Sequence, residues 1–121
     1  MRRLGEFEQL ILLALLALPE EDRYGVPIRE LIENRTGRSV SMGAVYTALD
    51  RLTARGLVDS KLGEPTAERG GRRKRIYRLE KAGTRELGRS IRSLAAMSRG
   101  LLPKLGVRWA PLDPASGKET R

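Results

Sequence analysis

The 121-residue chain contains no cysteine and no histidine. Without cysteine there are no disulfides, no thiol nucleophile and no thiolate ligands for zinc. Without histidine there is no imidazole for acid–base work near neutral pH. The remaining carboxylates and hydroxyls make up no phosphate-binding loop and no metal-ligand constellation. The acidic cluster Glu20-Glu21-Asp22 reads as a solvated turn. The sequence therefore predicts no enzyme, no metal and no cofactor. Aromatic residues are also few, with one tryptophan, three tyrosines and one phenylalanine. Such a set offers no platform for stacking unpaired bases, the usual means of reading single-stranded RNA. Long apolar runs are missing too. The longest, Leu10–Leu18, has nine residues, far short of the ~20 that span a bilayer. An MRR start before an apolar stretch has the outline of a signal peptide, but Glu6 and Glu8 interrupt it and no clean cleavage site follows. The expectation is a soluble, cytoplasmic protein with no membrane partner.

What is present is positive charge, unevenly placed. Residues 1–63 hold nine Lys+Arg and nine Asp+Glu, so they are neutral, and the whole net charge of +9 falls in residues 64–121. Charge confined to one segment is the footprint of a surface for a polyanion.

The stretch Ser41–Leu57 is the most clearly delimited element. Ser41 is a good N-cap, because its hydroxyl accepts from free backbone N–H groups of the first turn. Gly56 suits the left-handed position past the end, and Leu57 falls where a Schellman motif folds back on Leu52. Val45, Leu49 and Leu52 form one apolar stripe. Met42, Gly43, Tyr46, Thr47, Asp50 and Arg51 lie on the other side. Two helices precede it. Leu4–Leu18 is apolar nearly all round and predicts a central core helix closed by Pro19. Tyr24–Thr36 carries Pro27 in its first turn, where a missing N–H costs little, and ends at Gly37. Short links make these three helices pack together, with the second and third in a helix-turn-helix arrangement.

After the third helix, Leu57–Leu62 and residues 74–79 read as short strands on either side of the glycine-rich, charged segment Gly63–Arg73. Tyr77 and Leu79 share a face of this hairpin. A two-stranded hairpin is not stable alone, so it must lean on the helices. Lys81–Leu102 predicts a fourth helix with Leu87, Ile91, Leu94 and Leu101 at heptad-like spacing on a surface otherwise rich in arginine. A second copy of the chain is the expected cover for that stripe, the alternative being that it folds back on the first helix. Beyond Pro103 the expectation is a loosely held tail, with Trp109 either packing on a dimer or lining a small-molecule pocket.

Helix, helix, helix, hairpin, helix is the winged helix-turn-helix plan. The fold class is thus mainly α with a small β-hairpin (α+β). It comprises a DNA-binding domain over 1–80, a dimerisation helix over 81–102 and a short tail over 103–121. The Ser41 helix can then enter a major groove of double-stranded DNA with its N-terminal half nearest the bases. Small residues there (Ser41, Gly43, Ala44) admit close approach, and Met42 belongs to the same half. Thr47 can meet a base edge or a thymine methyl, and the Tyr46 hydroxyl suits a phosphate oxygen. Arg72, Arg73, Lys74 and Arg75 sit on the wing and suit phosphates or a minor groove.

These residues resemble the PadR-like transcriptional regulators. The resemblance is carried by LGEFEQLILLALL at the start, YGVPI at 24–28 and SMGAVYTALDRLTARGLVDS at 41–60. GGRRKRIYRLEKAG at 70–83 and the following Leu87 complete it. It implies a homodimer paired through the last and first helices, a pseudo-palindromic operator and repression often relieved by a small-molecule effector. By position it implies that Tyr24, Ser41, Gly43, Tyr46 and residues 72–75 contact DNA, and that Arg51 and Lys61 contact phosphates. The alternative is a winged helix used only as a protein-interaction module, which would not need the arginine-rich wing.

Overall fold

Helix α1 (Glu6–Ala17) begins where the Glu8 carboxylate accepts from the Gly5 backbone N–H at 2.8 Å. It precedes a 3-10 turn, Glu20–Asp22, and helices α2 (Gly25–Thr36) and α3 (Met42–Ala54). Strands β1 (Val58–Leu62) and β2 (Arg75–Leu79) pair antiparallel, with Val58 opposite Leu79 and Leu62 opposite Arg75, and helix α4 (Lys81–Ser98) follows. This computed structural model describes residues 3–64 and 73–108. Arg72, Trp109 and the tail expected beyond it lie outside the described residues. No helix among them is long and apolar enough to cross a membrane.

The chain divides into two units, Met1–Ser90 and Ile91–Arg121. In the first, α1, α2 and α3 pack on one another, and Ile11, Leu12, Leu15, Ile28, Val45, Leu49 and Leu52 are fully buried among them. Each such side chain contributes about 2 kcal/mol by leaving water. Tyr77 and Val58 close this core from the hairpin, so the wing leans on the helices as its two-stranded nature requires.

The end of α3 follows the expected Schellman geometry. Gly56 has φ 76°, the Leu57 N–H donates to the Leu52 carbonyl at 3.0 Å and the Gly56 N–H donates to the Thr53 carbonyl at 3.0 Å. At the other end of α3, the buried Val40 N–H donates to the Glu33 carboxylate at 2.8 Å, which fixes the turn out of α2.

Two expectations need correction. Helix α1 is not covered all round: Leu13 is 41% and Leu16 54% exposed, because α2, α3 and the wing pack only on the opposite side. Within the first unit the buried Gly83 and Leu87 seat the start of α4 on the core. The last helix ends at Ser98, short of Leu102, because Gly100 turns left-handed at φ 76°. A 3-10 turn, Leu102–Leu105, follows that break.

Candidate nucleic-acid interface

The sequence of α3 sorts its two faces cleanly. Val45, Ala48, Leu49 and Leu52 face the core. Ser41, Gly43, Ala44, Tyr46, Thr47, Asp50 and Arg51 are exposed. The Ser41 hydroxyl accepts from the Ala44 N–H at 3.0 Å, as its place at the N-cap requires. A methyl group added at Gly43 would meet nothing nearer than that hydroxyl, 4.0 Å away. The first turn of α3 therefore presents a low, uncharged surface that a large flat partner can approach closely.

Met42 departs from this pattern. It is half-buried and lies with the Tyr46 hydroxyl against Gly25, the first residue of α2. A side chain at Gly25 would lie 2.7 Å from Met42 Cε and nearer still to the Tyr46 hydroxyl. Tyr46, 43% exposed, thus spans from α3 to the start of α2 and ends beside Gly25. Met42 Cε lies against Gly25 in the same contact between α2 and α3.

The wing stands against the same corner. The Lys74 ammonium lies 4.7 Å from the centroid of the Tyr24 ring, within the range of a cation–π contact. The Lys74 carbonyl accepts from the Gly63 N–H across the hairpin at 2.6 Å. Arg75 reaches across the strands and donates to the Ser60 hydroxyl at 3.0 Å. Lys61, Arg73, Lys74 and Arg75 are all exposed. The structure therefore brings Tyr24, Tyr46, Lys74 and the first turn of α3 to one corner of the first unit.

Some contributors had no sequence signal. The Arg23 backbone carbonyl accepts from the Tyr77 N–H at 2.8 Å, which ties β2 to the segment between α1 and α2. The Arg23 side chain donates to the Leu18 carbonyl at 2.9 Å and so satisfies a carbonyl at the end of α1. A charged residue in a turn announces neither role. Asp50 is another. Burial first, and then the Asp50 carboxylate, push the Tyr77 phenol above its ordinary value of 10.0. Asp50 on α3 and Arg75 on the wing therefore both act on the buried tyrosine between them.

The predicted dimer stripe separates into three parts. Leu87 is 4% exposed and belongs to the core of its own chain. Little of its surface is open in the single chain. Ile91 and Leu94 are exposed on α4, and Met97, which the heptad reading passed over, is exposed on the same helix. Leu101 is exposed but lies past the Gly100 break, so the regular helical spacing does not extend to it.

Comparison with known proteins agrees with this architecture. The family model described as "Transcriptional regulator PadR-like family" matches residues 12–89, which reach from α1 through the wing into α4. No curated protein matches the chain. A PadR family transcription regulator from Clostridium difficile superposes with a TM-score of 0.65 at 21% identity, over 85% of this chain and 100% of that one. A PadR-like transcriptional regulator from Bacillus cereus gives a TM-score of 0.65 at 19% identity, over 84% and 93% of the two chains. Bacillus subtilis PadR, solved in complex with operator DNA, gives 0.59 at 21% identity, over 71% of this chain and 46% of that one. At these identities the superpositions establish the winged-helix fold, and the family match over most of the described chain goes further. The chain belongs to the PadR-like family of transcriptional regulators, which are not enzymes.

Proposed function

We propose that the chain is a homodimeric repressor that binds a pseudo-palindromic operator, with the first turns of α3 in the major groove and the wing on the backbone. The observation that carries this reading is the corner where Tyr46 of α3 meets the start of α2 and the Lys74 ammonium stands over Tyr24, with Gly43, Ala44 and Thr47 exposed on α3 and Arg73 and Arg75 exposed on the wing. Small residues permit the approach to base edges, and the cations supply the affinity that phosphates give regardless of sequence. Ser41 and Thr47 are the base-proximal side chains, with Tyr46, Arg51 and Lys61 directed to phosphates and Tyr24 at the same corner beneath Lys74. The B. subtilis relative solved with its operator supports the mode.

Pairing of two chains is supported by apolar surface. Leu13 and Leu16 are open on α1, and Ile91, Leu94 and Met97 are open on α4. Exposed large apolar side chains on regular helices mark surfaces that another protein covers. A second copy is the cover that a closed two-fold assembly supplies, and it would place two α3 helices on successive half-sites about 34 Å apart.

The test is fluorescence anisotropy with the duplex upstream of the protein's own coding region against a shuffled duplex, at two salt concentrations. A preference of ~10³-fold or more that survives ~150 mM salt is the expected result. Equal binding to both duplexes that disappears with salt counts against a sequence-specific regulator acting there. Failure to bind any duplex at low salt leaves the protein-interaction module in its place.

A further inference from the structure

The corner between α2 and the wing holds a contact that the DNA-binding reading does not itself require. Lys74 is exposed, yet its ammonium is not free in solution. It stands over the face of the Tyr24 ring at 4.7 Å. Lysine is a flexible, strongly hydrated cation, and a ring beneath it narrows the orientations it samples.

The ring is a rigid base. Tyr24 is the N-cap of α2 in extended backbone. Its N–H donates to the Asp22 carbonyl at 2.9 Å, and its carbonyl accepts from the Ile28 N–H at 3.2 Å. The neighbouring Arg23 carbonyl holds the Tyr77 N–H of β2 at 2.8 Å, and the Lys74 carbonyl holds the Gly63 N–H at 2.6 Å. The backbone on both sides of the ring–cation contact is therefore pinned. Among the described residues no hydrogen bond engages the Tyr24 hydroxyl, so its link to the wing runs through the ring face.

We infer that Tyr24 is a positioning residue for the wing, with its ring holding the Lys74 ammonium in place before DNA arrives. The functional part rests on the DNA-binding reading above; the contact itself does not. An ordered cation binds a phosphate without first losing its rotamer freedom, which is how pre-organisation raises affinity. A Tyr24 that merely touched phosphate through its hydroxyl would instead act independently of Lys74. The two roles differ in which part of the side chain matters and in whether Lys74 is needed.

Two experiments on the full chain separate them. In the free protein, the methylene protons next to the Lys74 ammonium should be shifted upfield by the ring in proton NMR. The shift should persist in Tyr24→Phe and vanish in Tyr24→Leu. Absence of the shift in the wild type overturns the inference whatever happens with DNA. On DNA, Tyr24→Leu should weaken duplex binding about 3-fold per copy, the size of an exposed cation–π contact, and so ~10-fold for a dimer. Tyr24→Phe should restore the wild-type dependence on salt. In a Lys74→Ala background Tyr24→Leu should have no further effect, because the two act as one unit. An equal loss in both backgrounds, or a Tyr24→Phe loss as large as that of Tyr24→Leu, assigns the residue to a direct hydroxyl contact and refutes the positioning role. A wild-type chain that binds no duplex removes the DNA-binding reading, while the NMR shift still decides the contact.

Discussion

Two glycine-to-alanine substitutions in first turns of helices should change stability in opposite directions. Alanine is a better helix former than glycine by ~1 kcal/mol, so both gain that much from propensity alone. At Gly43 on α3 nothing opposes the gain, because the nearest atom to an added methyl is 4.0 Å away. At Gly83 on α4 the methyl would collide with the Leu57 carbonyl oxygen and lie 3.1 Å from the Leu57 carbonyl carbon. Backbone cannot swing aside as a flexible side chain does. That same carbonyl accepts from the Glu80 N–H at 3.0 Å, and Leu57 itself is buried in the core. Relief requires α4 to lift, which strains the Glu80 hydrogen bond and loosens Leu87. Overpacking of this kind costs ~1–3 kcal/mol, more where backbone meets backbone. Net of the propensity gain, Gly83→Ala should destabilise by ~2 kcal/mol, or roughly 10 °C in Tm for a unit of this size. Gly43→Ala should raise stability by up to ~1 kcal/mol. Urea unfolding followed by circular dichroism, at matched protein concentration, measures both. A Gly83→Ala midpoint at or above wild type would mean that α4 does not approach Leu57 so closely.

Other perturbations probe the proposed interface and the buried tyrosine. Leu94, 65% exposed on α4, should carry pairing, so Leu94→Asp should sediment as a monomer; a dimer that persists assigns the pairing elsewhere. Reversing Arg73 and Arg75 changes four wing cations in a dimer and should reduce the slope of log affinity against log salt by about 3–4. An unaltered slope removes the wing from DNA contact. Replacing Thr47 should change which sequences are preferred more than the overall affinity, as read by selection from a randomised duplex pool. Because its pKa is raised, the Tyr77 phenol holds its proton more tightly in the folded chain than in the unfolded one. The stability this contributes is present below the ordinary value of 10.0 and is lost as pH rises past it through the folded value. Tyr77→Phe should therefore lose stability less steeply in alkali, and identical alkaline slopes would contradict the raised value.

Much of this molecule is decided locally, and so the chain itself determines it. Ser41, Gly56 and Leu57 delimit α3 through backbone rules that act within one turn of helix. The spacing of Val45, Leu49 and Leu52 selects the face that is buried, because a helix brings those positions together wherever it sits. The alternation that sends Tyr77 and Leu79 to one side of the wing is equally local. Tertiary packing decided the rest. Leu87 and Leu94 belong to the same heptad-like pattern, yet one is core and the other is open. Leu87 is held by packing within the first unit, and periodicity carries no information about which turns of the helix are packed. Leu13 and Leu16 sit in an apolar run that reads as wholly buried, but among the described residues α2, α3 and the wing leave that side of the helix open. Arg23, Gly25 and Gly83 matter because carbonyls and side chains distant in sequence come to rest beside them. Tyr24 and Lys74 are fifty positions apart in the sequence, and no local rule joins them. Only the hairpin's lean on the helices brings that ammonium onto that ring.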